Sequence, residues 1–481
     1  MSRSSTSLVW FRNDLRLGEN PALTAAAKSG LPLVCLYILE DGPDAHRPLG
    51  GARKWWLNKS LASLKASLQD LGGDIILRRC NHKSTRQIVE EVVEEACSEK
   101  VFWNRRYAPD QTEIDKEIKA QLSEKDIEVT SFNGALLCEP WTVKTNSGDP
   151  YKVFTPFWKS LKDQFVPSHP KSIPDLKFAE GIKSEKLEDW ELHPTKPDWS
   201  GGLDKFWSPG EDGAKEQLKE FFDAGLKSYK TDRDRPDKAA TSFLSPYLSF
   251  GEISPHFIWM ATQSRMDEDG SLEDQGWAFL REIAWRDFSH NLLYQSDCLH
   301  KKNWNRRFDA FDWQSNDAYL TAWQKGQTGY PMVDAGMRQL WQTGWMHNRV
   351  RMIVGSFLVK HLLIDWRDGE DWFWDTLVDA DTANNPASWQ WVAGSGADAA
   401  PYFRIFNPMS QGEKFDPNGD YVREWVPELK DLPTKYIHEP WEAPKEKLRS
   451  ANVTLGETYP KPIVQHKAAR EAALEAYERT G

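Results

Sequence analysis

The 481-residue chain has few cysteines, no long apolar run and no excess of positive charge, and each shortage removes a class of protein. Five cysteines, Cys35, Cys80, Cys97, Cys138 and Cys298, are scattered without disulfide or metal-ligand spacing. That excludes a disulfide scaffold, implies no metal site and points to a reducing cytoplasm. The longest largely apolar run of the C-terminal half, Met352 to Val359, falls far short of the ~20 residues needed to cross a bilayer. Near the N-terminus Leu8-Val9-Trp10-Phe11 stops at Arg12, too short for a signal-peptide core, and reads as a first strand. A net charge of −11 argues against non-specific coating of DNA, though not against a local basic groove. Lys301, Lys302, Arg306 and Arg307, or Arg349 and Arg351, could line one; each group alone is more often a solvated surface. Neither GxGxxG nor a P-loop is present, so no motif supports nucleotide binding in the first part of the chain.

What the chain does have is length and tryptophan. At roughly 150 residues per domain it needs two to four units. In residues 1–135 short apolar runs (Leu8–Phe11, Leu33–Leu39, Asp74–Leu77, Val101–Trp103, Val129–Phe132) alternate with helical patterns such as Gly51–Leu71 and Thr85–Cys97. Alternation of this kind predicts an α/β domain with a doubly wound, Rossmann-like parallel sheet. Residues 136–212 are punctuated by prolines and read as a long linker. Residues 213–481 show 3.6-residue periodicity, with helices expected over Gln275–Tyr294, Met332–Thr343 and Trp345–Leu363 among others, and so predict an all-helical domain. The 24 tryptophans fit a large core, and some could serve as redox relays or stacking platforms.

Four constellations carry chemistry. Thr241-Ser242-Phe243-Leu244-Ser245-Pro246 predicts a helix start with Ser245 as N-cap, which suits a pyrophosphate; the residues alone favour an ordinary capped helix. In Trp345-Met346-His347-Asn348-Arg349-Val350-Arg351-Met352, helical spacing puts Trp345, Asn348 and Met352 on one face. Asn348 there has the donor and acceptor to read a base edge or flavin ring, and His347 reads as structural ahead of proton donor. Glu282 and Trp285, three apart, suit hydrogen bonding to a pyrimidine together with stacking, or equally a surface acid beside a core indole. Asp379, Asp381, Asn384 and Asn385, followed by Trp389 and Trp391, lie in a segment too polar and turn-rich to be only structural.

The stretch WQWVAGSGADAAPYFRIFNPMSQGEKFD resembles the flavin-domain signature of the photolyase/cryptochrome family, as do Thr328-Gly329-Tyr330-Pro331, GWMHNRVRM, TSFLSPYLSFG and LVWFRNDLRL. The resemblance spans essentially the whole chain. It implies light-driven repair of cyclobutane pyrimidine dimers in DNA, with FAD held in the helical domain. By matched position FAD should contact Tyr229, Thr241, Ser242, Leu244, Ser245, Trp345, Asn348, Arg351, Asp379, Asp381 and Asn385, with Asn385 facing flavin N5. The family's electron-relay tryptophans match Trp389, Trp366 and Trp313. The lesion pocket matches Glu282, Trp285, Asn348, Met352 and Trp391, with Arg349 on the DNA backbone. The (6-4) photolyases carry histidines where Asn348 and Met352 stand, and plant cryptochromes carry aspartate in place of Asn385. Both differences favour a dimer photolyase, similar to the bacterial class III group, over a cryptochrome-type receptor without repair activity. Asp110-Gln111 stands where enterobacterial folate binders carry an Asn-Glu pair, which speaks against their folate site. The likeness to the bacterial group related to plant cryptochromes implies methenyltetrahydrofolate at a different site, with 8-hydroxy-5-deazaflavin as the alternative. A monomer is expected.

Overall fold

The computed structural model describes residues 5–43, 45, 47–167, 172–399 and 403–480. Residues 400–402 of the signature stretch therefore lie outside the described residues. The chain forms two compact units that interleave in sequence: 1–223 with 242–297, and 224–241 with 298–481. The division at 135 and 212 drawn from the sequence follows element type, whereas these units follow packing.

In the first unit, β1 (Thr6–Phe11), β2 (Leu33–Leu39), β3 (Ile75–Arg79), β4 (Ser98–Asn104) and β5 (Glu128–Phe132) form one parallel sheet in the order β3-β2-β1-β4-β5. The near-continuous apolar runs of β1 and β2 are those of strands covered on both faces. The helices α1 (Pro21–Lys28), α2 (Gly51–Asp70), α3 (Thr85–Ala96) and α4 (Pro109–Glu124) alternate with them. β1 and β4 are neighbours where the strand order reverses, the place at which such folds open a ligand crevice. Here polar side chains of the protein link across that edge. Asn104 donates to Asp14 at 2.6 Å and Asn20 at 2.8 Å, while Arg106 and Arg12 both reach Asp115, at 2.6 and 3.2 Å.

The stretch 136–212, expected as linker from its prolines, contains α5 (Phe154–Gln164). Phe154, Phe157 and Leu161 recur at three and four residues and are buried, and Pro156 sits in the first turn, where a missing N–H costs nothing. Later in the same unit the short helix Ser245–Phe250 is tied to α2: Arg53 donates to Ser249 at 2.6 Å, and the Trp56 indole N–H to Glu252 at 3.1 Å. Glu252 is fully buried, and that burial pushes its carboxyl from the ordinary 4.5 up to about 8.

The second unit is helical. Its core gathers the helices Pro331–Thr343, Asn348–Ser356, Trp366–Thr376 and Asn384–Ala393 around Val350, Ile353, Val354, Trp366, Phe373 and Trp389. The Thr328-Gly329-Tyr330-Pro331 motif is a helix entry. Asp334 accepts hydrogen bonds from Thr328 N, Thr328 Oγ1 and Gly329 N at 2.7–3.0 Å and from the Tyr459 hydroxyl at 2.7 Å.

Native Glu252 keeps a proton that the unfolded chain releases above about pH 4.5, so its contribution to stability declines as pH rises and is fully lost above about pH 8. Glu252→Gln retains an acceptor for Trp56 without the ionisation. Denaturant unfolding should show the variant gaining on the native protein by up to about 1.4 kcal/mol per pH unit between about pH 5 and 8.

Candidate functional site

In the second unit the expected site residues are built around an ion pair whose carboxylate is buried and whose guanidinium is part-exposed. Arg351, on the Asn348–Ser356 helix, engages Asp379 with two parallel hydrogen bonds of 3.1 and 2.7 Å, and its Nε donates to Met346 O at 2.7 Å. The Asp379 side chain is 4% exposed. Fork-to-carboxylate geometry gives each Asp379 oxygen a charged donor, which is what makes burial of that carboxylate tolerable. The pair holds the turn-rich segment 377–383 against the helix, helped by Val378 N donating to Gly344 O at 2.8 Å.

Asp381 then starts the next helix. It accepts from Ala383 N at 2.8 Å and from the side chain of Asn384 at 2.6 Å. The following residue, Asn385, is buried and spends its Nδ2 protons on Glu370, at 2.7 Å to Oε1 and 3.0 Å to the carbonyl. A carboxylate can only accept, so this contact fixes which way round the amide sits and leaves its oxygen as the acceptor end.

The three expected relay tryptophans all belong to this unit. Trp389 and Trp366 are in its core and Trp313 packs against it. Trp389 meets Phe373 edge-on at 4.9 Å and lies flush on the Trp366–Thr376 helix at Gly369, where a Cβ would come within 2.2 Å of the indole. Trp366 is fully buried and donates to Asn303 at 2.9 Å; Trp313 packs on Phe311 at 4.2 Å. Trp391, on the same helix as Trp389, is part-exposed and donates to Asp398 O at 3.0 Å.

Two expectations about local structure are corrected. Trp345 does not share a helical face with Asn348 and Met352, because the helix begins at Asn348 and Trp345 precedes it. The reason is His347, whose Nδ1 accepts from Arg349 N at 3.1 Å and so caps the helix. Burial lowers the His347 pKa to about 4, so the ring is neutral and able to accept. Likewise, the helix after Thr241 has Leu244 at its N-cap and Ser245 at its first position. Ser242 Oγ accepts from Leu244 N at 3.4 Å, and Phe243 adopts a positive φ of 53°, so the turn is made one residue earlier than Pro246 suggests.

Asn348 is exposed at the start of its helix, with Met352 one turn on. Arg349 pairs with Asp234 at 2.9 Å and lies 4.4 Å over Phe415. Tyr229 is buried, and the Thr241 hydroxyl is buried without a hydrogen-bond partner among the described residues. Ser242, Leu244, Ser245, Glu282 and Trp285 belong to the first unit. Glu282 and Trp285 lie one turn apart on the Glu273–Tyr294 helix, and both are part-exposed.

Sequence reasoning did not single out Glu370. Its signal was legible: Trp366, Gly369, Glu370 and Phe373 are buried on one face of an amphipathic helix, and a glutamate there demands a partner.

Two family models match the chain, one described as DNA photolyase over residues 7–175 and one as the FAD binding domain of DNA photolyase over residues 279–479. The chain is 52% identical over 477 residues to a deoxyribodipyrimidine photo-lyase of Agrobacterium fabrum, covering 99% of this chain and 98% of that one. It is 38% identical to cryptochrome-2 of Arabidopsis thaliana, covering 100% of this chain and 80% of the relative. A crystal structure of a bacterial class III photolyase from Agrobacterium tumefaciens superimposes with a TM-score of 0.95 at 51% identity, covering 100% and 98% of the two chains.

Removing one partner of the pair should be costly. Arg351→Leu strands the Asp379 carboxylate and should lower the unfolding free energy by about 3 kcal/mol in denaturant titration. Adding Asp379→Asn to that variant should recover part of the loss.

Proposed function

The chain belongs to the DNA photolyase family, and we propose that it is a deoxyribodipyrimidine photo-lyase that repairs cyclobutane pyrimidine dimers in DNA under light, with FAD as its cofactor. The observation that carries this reading is Asn385, its amide oriented by Glu370 beside a segment pinned by the Arg351–Asp379 pair. An acceptor oxygen at this place matches the family's contact to flavin N5, and the Thr241 hydroxyl, buried without a partner among the described residues, suits a polar group of the cofactor. The residues that would hold FAD are Tyr229, Thr241, Ser242, Leu244, Ser245, Trp345, Asn348, Arg351, Asp379, Asp381 and Asn385. The chemistry FAD supplies when bound is light-driven one-electron donation to the lesion, with the electron returned after the cyclobutane ring opens.

The chain's own residues bind, orient and wire. Flipping a dimer out of the duplex costs a few kcal/mol, least for bases that already pair poorly, and that difference selects damage. Trp285 and Trp391 stack on the extruded pair, each contact worth about 1–3 kcal/mol. Glu282 and Asn348 hydrogen-bond its pyrimidine edges. Trp389, Trp366 and Trp313 carry electrons inward to keep the cofactor reduced, and Trp389 is seated for that role by Gly369. The finer parts of the proposal are an antenna domain at 1–135 and a FAD-binding domain at 213–481. They extend to a methenyltetrahydrofolate antenna, with 8-hydroxy-5-deazaflavin as the alternative, and to a cytoplasmic monomer.

Purified protein should restore dimer-containing oligonucleotide under near-UV light and leave it unchanged in the dark; a receptor without repair activity would leave it unchanged in both. Glu282→Ala should lower repair about tenfold, the worth of roughly 1.4 kcal/mol in one hydrogen bond to the lesion, with FAD content unaltered. Trp389→Phe should suppress photoreduction of oxidised enzyme while dimer binding, followed by gel shift, is retained.

A further inference from the structure

Trp285 has a partner that its sequence neighbourhood gives no hint of. Its ring lies face to face with Phe154, centroids 3.6 Å apart and planes within 8°. Phe288 meets both rings edge-on, at 5.7 Å from Trp285 and 5.8 Å from Phe154, and Phe157 closes against Phe288 at 5.3 Å. Phe154 is fully buried, whereas Trp285 is part-exposed. The sandwich thus has a sealed back, Phe154, and a front, the indole.

A close face-to-face sandwich is not the arrangement aromatic pairs choose when free, since their quadrupoles favour offset or edge-on contact. Something must hold the rings in register, and the structure shows what does. Phe154 opens α5, and the backbone just before it is tethered to the helix that carries Trp285. Asn291 and Gln295, two and three turns beyond Trp285, both donate to Tyr151 O, at 2.8 and 3.2 Å. The amide side chains on one helix therefore set the phenyl ring that backs an indole on that same helix.

We propose that Phe154 is a positioning residue for lesion recognition: it backs one face of Trp285 and fixes the plane of the indole, so that the dimer stacks on the opposite face alone. This rests on the reading of Trp285 as a stacking wall for the dimer. A stacking surface returns its full value only when its plane is held within about 10–20° of the productive orientation. A free indole would sample several rotamers and would have to be ordered at the moment of binding. With Phe154 behind it, that ordering is complete before the lesion arrives. The segment 136–212 then does more than connect; it supplies the rear of the lesion platform.

The test is a double-mutant cycle on the FAD-loaded full chain. Its readout is dark binding of a dimer-containing oligonucleotide, with undamaged oligonucleotide, FAD content and thermal midpoint measured alongside. Phe154→Leu should weaken dimer binding about three- to tenfold and leave binding of undamaged DNA and FAD content unchanged. Phe154→Tyr should restore near-native affinity because it rebuilds the stack. In a Trp285→Ala background, Phe154→Leu should cost nothing further. The same fractional loss in both backgrounds would overturn the proposal, because Phe154 would then be acting through general packing. If Phe154→Leu fails to fold, the cycle is run with Phe154→Met, whose flexible unbranched chain adapts to the space without a ring, with the same expectations. Trp285→Ala binding the dimer as tightly as native protein would instead overturn the assignment of Trp285, and the proposal with it. A weakened Trp285→Ala beside an unaffected Phe154→Leu or Phe154→Met would overturn the role of Phe154 only.

Discussion

The second unit depends on a carboxylate taken out of water against a part-exposed guanidinium. Arg351 and Asp379 come from a helix and from a segment with little regular structure, and the buried carboxylate is costly at its depth without its partner. Because the guanidinium fork satisfies both carboxylate oxygens and a backbone carbonyl at once, the turn-rich segment gains a fixed address. Asp381, Asn384 and Asn385 then follow in sequence from that point, and each has its side chain committed to a specific partner. A segment rich in Asp, Asn and Gly would ordinarily wander as a loop. Here its polar side chains are held by specific hydrogen bonds, so the segment serves as structure before any ligand is considered.

The first unit was the more legible of the two in the sequence. Five apolar runs predicted five strands, and all five are present in one parallel sheet, because strands covered on both faces have little freedom to be anything else. The helical periodicities after residue 213 were equally clear. What the residues alone could not give were helix starts. Trp345 and Asn348 have the spacing of a shared face, yet a neutral, buried histidine ends that reading by capping the helix between them. At Ser245 the rule that proline follows the N-cap missed by one residue, since the left-handed turn at Phe243 does the work of entry instead. Both are decisions made by side-chain hydrogen bonds and backbone dihedrals, which periodicity does not record.

The partners of site residues were harder still. Glu370, which orients Asn385, lies fifteen residues upstream on another helix, and the phenyl ring behind Trp285 comes from a stretch whose prolines suggest mere connection. Such supporting residues leave no motif of their own, because their chemistry is ordinary and only their placement is special. The resemblance to a known family names the residues proposed to touch ligands, while the structure supplies the reasons those residues hold still.

The seating of Trp389 on Gly369 has a consequence for how this region can change over time. Any side chain at 369 would intrude on the indole, and any smaller residue at 389 would leave a void beside the bare helix backbone. Position 369 is thus closed to any side chain while the indole stands, and a smaller residue at 389 has to come first, at a cost in stability, before 369 can change.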